Sequence, residues 1–341
     1  MSQVLVLTAG HASDGPYGVD LLSSFGLKMI EVPPAKTRAH VKVRDVFEHR
    51  LGYPVDKAVR SLIKAQRSDV VLAFLEPESI FPAKLKRLPF GYGKKPLATI
   101  ACWLTEELSQ LEPHQRQDVL KRFENVDLIF VFSQNQIPLL VEYGVPRDKL
   151  FAIPFGFDPS QYSFTPQSEK DIPLLAVGFD RGRDYPTLMA AMRGVDEELL
   201  IACKEGNLQG TEVPENVKKL GVVPYEEYKA LIHRAQVVVV PSKELAYPTG
   251  QTVALEAAAT GAAVVVTGTA PMREYFDETT ARMPAPGDVD GLRNAINSLL
   301  NDEQLRQDLG RRVCDHVQSH YPYRRMWSLI TDEFARRGWH N

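Results

Sequence analysis

The sequence predicts an α/β protein built from two parallel β-sheets that are covered by helices. Short apolar runs, rich in β-branched residues, alternate with amphipathic stretches along the chain, and parallel strands buried on both faces have this pattern. With 341 residues the chain exceeds one ordinary hydrophobic core, so we expect two domains. Prolines and glycines interrupt the alternation over residues 154–167, and we interpret this stretch as the linker between the domains.

Nine apolar runs predict strands, and the tail predicts a helix. The first half contains VLVLTA near Val4, VVLAFL from Val70, PLATIACW from Pro96, LIFVFS from Leu128, and a short run from Lys149 to Ile153. The second half contains IPLLAVG, ELLIAC, VVVVPS and AAVVVT. The tail, Tyr323–Arg337, places four apolar residues at helical spacing, which predicts an amphipathic closing helix; they are Met326, Trp327, Ile330 and Phe334.

Composition excludes several classes of protein. The chain has 44% hydrophobic residues, 24% charged residues and a formal net charge of -3, so we expect no nucleic-acid partner. Its start has no basic region before a short apolar run, and no run is long enough to cross a bilayer; we therefore expect a cytoplasmic protein. Cys102, Cys203 and Cys314 are far apart and lack CxxC spacing, which predicts reduced thiols rather than a disulfide or zinc site.

The most informative stretch, Tyr247–Val266, is YPTGQTVALEAAATGAAVVV and predicts a loop, a helix start and a buried strand. Gly250 lets the backbone approach a ligand, Gln251 and Thr252 add polar groups, and the unpaired N–H groups of a helix start favour a phosphate. Glu256 lies four residues beyond Thr252 on the same helical face and could accept both hydroxyls of a ribose. A solvated carboxylate on a helix that only packs explains these residues equally well.

Three polar loops that contain glycine follow predicted strands. They are Gly10–Gly18 after the first strand, FDRGRDYPTL after IPLLAVG, and KELAYPTGQT after VVVVPS. Ligands of open α/β sheets bind beside the carboxyl ends of the strands. We therefore expect the two domains to face each other across a cleft that these loops line.

Four segments follow one another in a specific order. Val126–Tyr162 has a strand pattern that ends in Ser133, a helix pattern, and a turn with Gly156 and Asp158. VGFDRGRDYPTLMAAM, Leu220–Ser242 and EAAATGAAVVVT come after it. Through these segments, most of the chain resembles the GT-B glycosyltransferases of glycosyltransferase family 4, also called group 1. The first segment is similar to the last N-domain segment of that family, the second to its first C-domain loop, the third to the segment that follows, and the fourth to its donor-binding helix and strand. The resemblance implies a GT-B fold with two Rossmann-like domains facing a central cleft.

The resemblance also implies a division of the chain and a donor site. Residues 1–157 would form the acceptor-side domain, 158–320 the domain that binds a nucleotide sugar, and 321–341 a closing helix that packs back toward the N-domain. Gly250, Gln251 and Thr252 would cradle the donor diphosphate, and Glu256 would bind the ribose.

Basic residues and backbone groups complete the implied donor site. Arg183 and Arg181 stand where the family places cations on the β-phosphate, and a guanidinium fork suits two phosphate oxygens; arginines of a solvated loop are the alternative. Val222 and Val223 stand where backbone groups meet the base. The family commonly has a sugar-contacting Glu where this chain has Pro248, and Glu244 would replace it only in a longer loop.

The N-domain departs from the family as well. Cys102 and Trp103 stand where many members have a His. His11 and Asp14, in the first loop that contains glycine, are therefore our candidates for acceptor-side catalysis, together with Arg183 on the donor side. A turn in which Asp14 caps backbone N–H groups explains the same pattern.

Taken together, the residues and the resemblance predict an enzyme and its partners. The expected activity is transfer of a sugar from a UDP- or GDP-linked donor to a glycan, lipid-linked or small-molecule acceptor, with retention and with no cofactor or metal. The DxD string at Asp288 precedes an amphipathic stretch and predicts a helix cap instead of a metal site. A nucleotide-sugar-binding subunit without catalysis and a nucleotide-sugar 2-epimerase are the alternatives.

The stretch Phe81–Lys95 is a candidate for peripheral contact with a membrane. It interleaves five cations with three aromatic residues, a pattern compatible with peripheral contact with an anionic lipid surface or a lipid-linked acceptor. A solvated loop with extended lysines explains it too.

Overall fold

The computed structural model describes residues 2–10 and 17–340 and divides into two compact units. Unit 1 comprises Met1–Pro154 together with Tyr323–Asn341, and unit 2 comprises Phe155–Pro322. Each unit contains one parallel sheet with helices packed on it. The predicted α/β class with two Rossmann-like parallel sheets is thus confirmed.

Unit 1 has a six-stranded sheet in the order β2-β1-β3-β4-β5-β6, in which every pair is parallel. Its elements before the crossing to unit 2 are β1 (Ser2–Leu7), β2 (Leu27–Glu31), α1 (Arg38–Leu51), α2 (Asp56–Arg60), α3 (Leu62–Arg67), β3 (Val70–Phe74), α4 (Glu76–Leu85), β4 (Leu97–Ala101), α5 (Leu104–Ser109), α6 (Pro113–Leu120), β5 (Leu128–Val131), α7 (Gln136–Glu142) and β6 (Leu150–Ala152).

Unit 2 has a five-stranded sheet in the order β11-β10-β7-β8-β9, again parallel throughout. Its elements are β7 (Ile172–Val177), α8 (Tyr185–Met192), β8 (Leu199–Ala202), β9 (Val217–Lys219), α9 (Tyr225–Arg234), β10 (Ala235–Val240), α10 (Gln251–Ala259), β11 (Ala263–Val266), α11 (Val289–Leu300) and α12 (Glu303–His320).

The strands that sequence patterns predicted are those with apolar side chains on both faces. Every residue of β3, β4 and β5 is buried, which explains their continuous apolar runs. The strands β2 and β9 were not predicted from the sequence. Each lies at the edge of its sheet, where one neighbouring strand is absent. Polar residues are allowed there, so the apolar pattern is weaker, and β9 is only Val-Lys-Lys.

The chain returns to unit 1 through α13 (Tyr323–Arg336), which is the amphipathic helix that the sequence predicts for the tail. The four apolar residues named above are all buried. The Trp327 indole N–H donates to the backbone carbonyl oxygen of Tyr17 at 2.7 Å, and the Tyr17 ring stacks on Phe74 with centroids 4.7 Å apart. This helix therefore completes the core of unit 1 at the carboxyl end of β3.

All three cysteines are free. Within residues 2–10 and 17–340, none of the helices combines the length and the apolar character needed to cross a membrane.

Candidate functional site

Two of the predicted loops meet at the carboxyl ends of β7 and β10, which are neighbours in the sheet of unit 2. Residues 178–184 follow β7, and residues 241–250 follow β10. The Asp184 N–H donates to the Pro241 carbonyl at 3.1 Å, and the Lys243 N–H donates to the Gly182 carbonyl at 2.9 Å. The backbone thus holds the two loops together at one edge of the sheet.

Arg183 lies in the centre of these loops and is only 3% exposed. A methyl group on Gly178 would come within 2.6 Å of its Nη2 atom, and one on Gly250 would overlap its Nη1 atom. Gly250 also has φ 87°, a conformation that other residues rarely adopt. The two glycines therefore leave room for the guanidinium group against the backbone.

The guanidinium group is buried, but some of its N–H donors have no hydrogen-bond acceptor in the part of the chain that the structure describes. Among the described residues, nothing accepts a hydrogen bond from Nε or Nη1 of Arg183, although both atoms are inaccessible. A buried cation without a partner costs several kcal/mol in folding, about 3–5 kcal/mol when a pair is broken. Such a group is tolerated where a ligand supplies the missing acceptors, and a planar fork of N–H donors suits phosphate.

The start of α10 adjoins Arg183 and contributes more polar atoms. No side chain in the described part of the chain caps this helix start. The Gln251 N–H donates to the Pro248 carbonyl at 3.2 Å, and the N–H groups that follow it, with the helix dipole, favour an anion. The Thr249 hydroxyl oxygen and the Gln251 Oε1 atom are also buried without a hydrogen-bond partner there. Ser242 fixes the loop by donating to the Thr249 carbonyl at 3.0 Å. This arrangement can bind a diphosphate.

The remaining candidates of this loop pair differ in exposure. Thr252 is half-buried in the first turn of α10, whereas Arg181 lies on the exposed side of its loop. Pro248, at the position of the expected carboxylate, is buried, and Glu244 is exposed. The structure therefore places Arg183, Gly250 and Gln251 together and leaves Arg181 and Glu244 at the surface.

Glu256 lies further along α10 and is 6% exposed. The Tyr228 hydroxyl donates to its carboxylate, and Tyr162 hydrogen-bonds to it as well. Burial raises the pKa of Glu256 to about 7, against the opposing effect of the two tyrosines. Burial also raises the pKa of Tyr228 well above its ordinary value, so this hydroxyl remains a donor. The predicted ribose carboxylate is thus positioned by two phenols.

Sequence reasoning missed these tyrosines. Tyr228 lies on α9 and Tyr162 lies in the stretch taken as a linker, so three distant segments build the cluster. One local signal was available, because Tyr225 and Tyr228 are three residues apart at the start of the helix that follows the Val222–Val223 loop. The Tyr162 and Tyr225 hydroxyls lie 3.3 Å apart.

The predicted base-contacting loop therefore connects directly to the Glu256 cluster. Val222 is 58% exposed and Val223 is half-buried, between the end of β9 and the start of α9. Tyr225 and Tyr228 stack on each other in the first turn of α9. A ligand bound by Glu256 would lie close to this loop.

In unit 1, a cavity of about 260 Å³ borders the carboxyl end of β1. The Lys57 ammonium donates to the Thr8 carbonyl at 2.6 Å and to the Gly10 carbonyl. Glu78 also lines the cavity, and its burial raises its pKa to about 7 in spite of the nearby Lys57. Neither side chain was predicted from the sequence, since α2 and α4 show no motif. The acceptor-side candidates His11 and Asp14 lie outside the described residues.

The DxD string has the local role that the sequence predicts. The Asp288 carboxylate accepts from the Gly291 N–H at 2.8 Å and caps α11, and Asp290 pairs with Arg293. Over the described ranges, no group of three or more His, Cys, Asp or Glu side chains is arranged to hold a metal ion.

The two parallel Rossmann-like sheets are shared with solved structures of the GT-B fold. HepE of Anabaena, solved in complex with UDP and glucose, is 14% identical in sequence, with 98% of this chain and 100% of that chain covered at a TM-score of 0.70. Sucrose-phosphate synthase from Thermosynechococcus elongatus is 17% identical, with coverage of 98% and 99% and a TM-score of 0.75. The GT-B fold predicted from the sequence is confirmed.

Sequence comparison identifies relatives of part of the chain. Residues 200–314 match the family described as Glycosyl transferases group 1, a range that contains Gly250 and Glu256 but not Arg183. Glycogen synthase of Mycobacterium tuberculosis is 27% identical over 260 residues, which is 69% of this chain and 60% of that protein. The chain therefore matches about three fifths of the length of this curated relative.

Proposed function

We propose that the protein is a glycosyltransferase that moves a sugar from a nucleotide-diphosphate sugar to an acceptor hydroxyl. The observation that carries this proposal is the buried Arg183 guanidinium, whose unpartnered donors adjoin the uncapped start of α10. In the reaction, the bond between the anomeric carbon and the β-phosphate oxygen breaks, and its electron pair leaves with the diphosphate. The acceptor oxygen bonds to the same carbon and gives its proton to an acceptor-side base, for which His11 and Asp14 are our candidates. Arg183 and the helix start stabilise the charge that develops on the diphosphate.

The donor would bind along unit 2. The diphosphate contacts Arg183 and the residues Gly250, Gln251 and Thr252, the ribose hydroxyls donate to Glu256, and the base lies at Val222 and Val223. UDP and GDP are the nucleotides we propose, and the UDP complex of HepE makes UDP the first to test. Retention and independence of metal are part of the proposal through the resemblance to group 1 enzymes.

The acceptor would bind in unit 1. The cavity beside β1 offers a cation in Lys57 and a carboxyl group in Glu78, and both can hydrogen-bond hydroxyl groups. His11 and Asp14 follow Gly10 in the sequence, outside the described residues, and remain our candidates for acceptor-side catalysis. The acceptor can be a glycan, a lipid-linked sugar or a small molecule.

Ligand binding and product analysis together test this proposal. A ligand of the native state raises the melting temperature, so UDP, GDP, ADP and their sugars are first compared by thermal shift. The stabilising sugar nucleotide is then incubated with EDTA and a panel of acceptors. Free nucleotide together with glycosylated acceptor supports the proposal. An epimerised donor indicates a 2-epimerase, and donor binding without either product indicates a binding subunit.

Glu256→Ala is expected to weaken nucleotide binding about tenfold, because hydrogen bonds to a charged or partly charged carboxyl group are lost at the ribose. Isothermal titration calorimetry with the nucleotide from the thermal-shift panel measures this effect. Glu227→Ala, an exposed carboxylate on the neighbouring α9, is the matched control and should bind like wild type. Equal affinities for folded Glu256→Ala and wild type would refute the ribose assignment.

A further inference from the structure

Helix α1 packs on unit 1 through polar groups. None of its 14 residues is buried. The Glu48 carboxylate accepts from the Val55 and Asp56 N–H groups at 2.8 and 3.0 Å, and the His40 Nε2 atom lies 2.6 Å from an Asp56 carboxylate oxygen. The side of α1 that faces the protein is therefore hydrophilic, the reverse of an ordinary surface helix.

The apolar residues of α1 point to solvent instead. Val43, Val46, Phe47 and Leu51 are 56%, 62%, 58% and 45% exposed. Their spacing of three and four residues places them on one face of the helix. Apolar side chains scattered singly over a surface need no explanation, but a contiguous stripe of this kind marks an interaction surface.

The charge around the stripe indicates what covers it. Arg38, Lys42 and Arg50 are exposed on the same helix, and none of them has an ion pair within the described part of the chain. Residues 36–95 contain 14 Lys and Arg against 6 Asp and Glu, whereas the whole chain has a net charge of -3. An apolar stripe bordered by cations is complementary to a bilayer with anionic headgroups.

The neighbouring stretch 81–95 is less suited to this contact than its sequence suggested. Lys84 donates to the Tyr53 hydroxyl at 2.5 Å, and Lys86 forms an ion pair with Asp127. These two of the five cations in the stretch are occupied within the protein, whereas the exposed cations of α1 have no ion pair among the described residues.

We propose that α1 docks on an anionic lipid surface, with Val43, Val46, Phe47 and Leu51 inserted among the lipids and Lys42 and Arg50 at the phosphates. The inserted side chains leave water, and the cations gain from the negative surface potential, which salt screens. This proposal does not depend on the glycosyltransferase activity. It concerns how unit 1 meets a membrane surface.

Vesicle flotation of the full chain tests the proposal. Wild-type protein should float with vesicles of phosphatidylcholine and phosphatidylglycerol and remain unbound with phosphatidylcholine alone. Phe47→Ser should lower the bound fraction at least about fivefold through loss of its buried apolar area, and Lys42→Glu should lower it and weaken its salt dependence. Val141→Ser, a 41% exposed residue of α7, is the matched control and should bind like wild type.

Three results would overturn the proposal. The first is no binding of wild type to anionic vesicles. The second is binding that survives in folded Phe47→Ser but is lost in Phe90→Ser, which would assign the contact to the stretch 81–95. The third is a wild-type dimer in sedimentation equilibrium that Phe47→Ser converts to monomer without any effect on vesicle binding, which would assign the stripe to a second copy of the chain.

Discussion

Arg183→Ala is expected to lower the turnover of the nucleotide sugar by about 100- to 1000-fold, the size of effect that removal of one preorganised donor to a developing oxyanion produces. The guanidinium is fixed before the ligand arrives, because Gly178 and Gly250 leave space for it and the loop is tied to residues 241–243. Its contact with the diphosphate strengthens as negative charge develops. The loss should therefore appear mainly in kcat, measured from initial rates at saturating donor.

Two comparison variants make this prediction specific. Arg183→Lys keeps the charge but not the fork of donors. Its kcat should be about tenfold higher than that of Arg183→Ala. Arg193→Ala removes an exposed arginine paired with Glu212 at 2.7 Å and should leave kcat unchanged. Wild-type kcat in a correctly folded Arg183→Ala protein would eliminate Arg183 as the group that stabilises the leaving diphosphate.

Replacing Arg183 with methionine should lower kcat without lowering the free energy of unfolding. Because the buried Nε and Nη1 atoms of Arg183 have no acceptor among the described residues, Arg183→Met removes an unpaired buried charge and keeps most of the volume. Its free energy of unfolding should equal or exceed that of wild type while its kcat falls. A residue kept only for structure would show both quantities falling together.

The sequence predicts the parts of the fold whose signal is local. Continuous apolar runs identified β3, β4 and β5, since central parallel strands are buried on both faces. The edge strands β2 and β9 were missed because one side of each has no partner, which allows polar residues such as Lys218 and Lys219 there. The reversed face of α1 could not be predicted either, because periodicity shows that a helix is amphipathic but not which face meets the protein.

The residues of the candidate site also fall into those that could be predicted from the sequence and those that could not. Gly250 was predicted because a helix start after a strand has a compact sequence pattern, and Arg183 was predicted from the place that the resemblance to group 1 glycosyltransferases gives it. The phenols that hold Glu256 were not predicted, since Tyr162 and Tyr228 come from distant segments that only the folded chain brings together. Lys57 and Glu78 in unit 1 share a cavity for the same reason, without any motif in common.

Glu256→Gln is expected to change how the stability of the protein depends on pH. Burial raises the pKa of Glu256 from 4.5 to about 7 in the folded state. Between these values the unfolded chain ionises while the folded chain keeps its proton, so the free energy of unfolding of wild type falls as pH rises. This stabilising contribution is complete below pH 4.5 and lost above pH 7.

Glutamine has the same shape, accepts from Tyr228 and does not titrate. The free energy of unfolding of Glu256→Gln minus that of wild type should therefore rise by on the order of 3 kcal/mol between acidic and mildly alkaline pH. Urea unfolding followed by circular dichroism over this pH range measures the difference. Glu78 titrates in both proteins, so its contribution cancels when one free energy is subtracted from the other. Glu227→Gln, exposed on α9, should differ from wild type by a constant amount. Parallel curves for wild type and Glu256→Gln would show that the carboxylate is ionised at little cost within the tyrosine cluster.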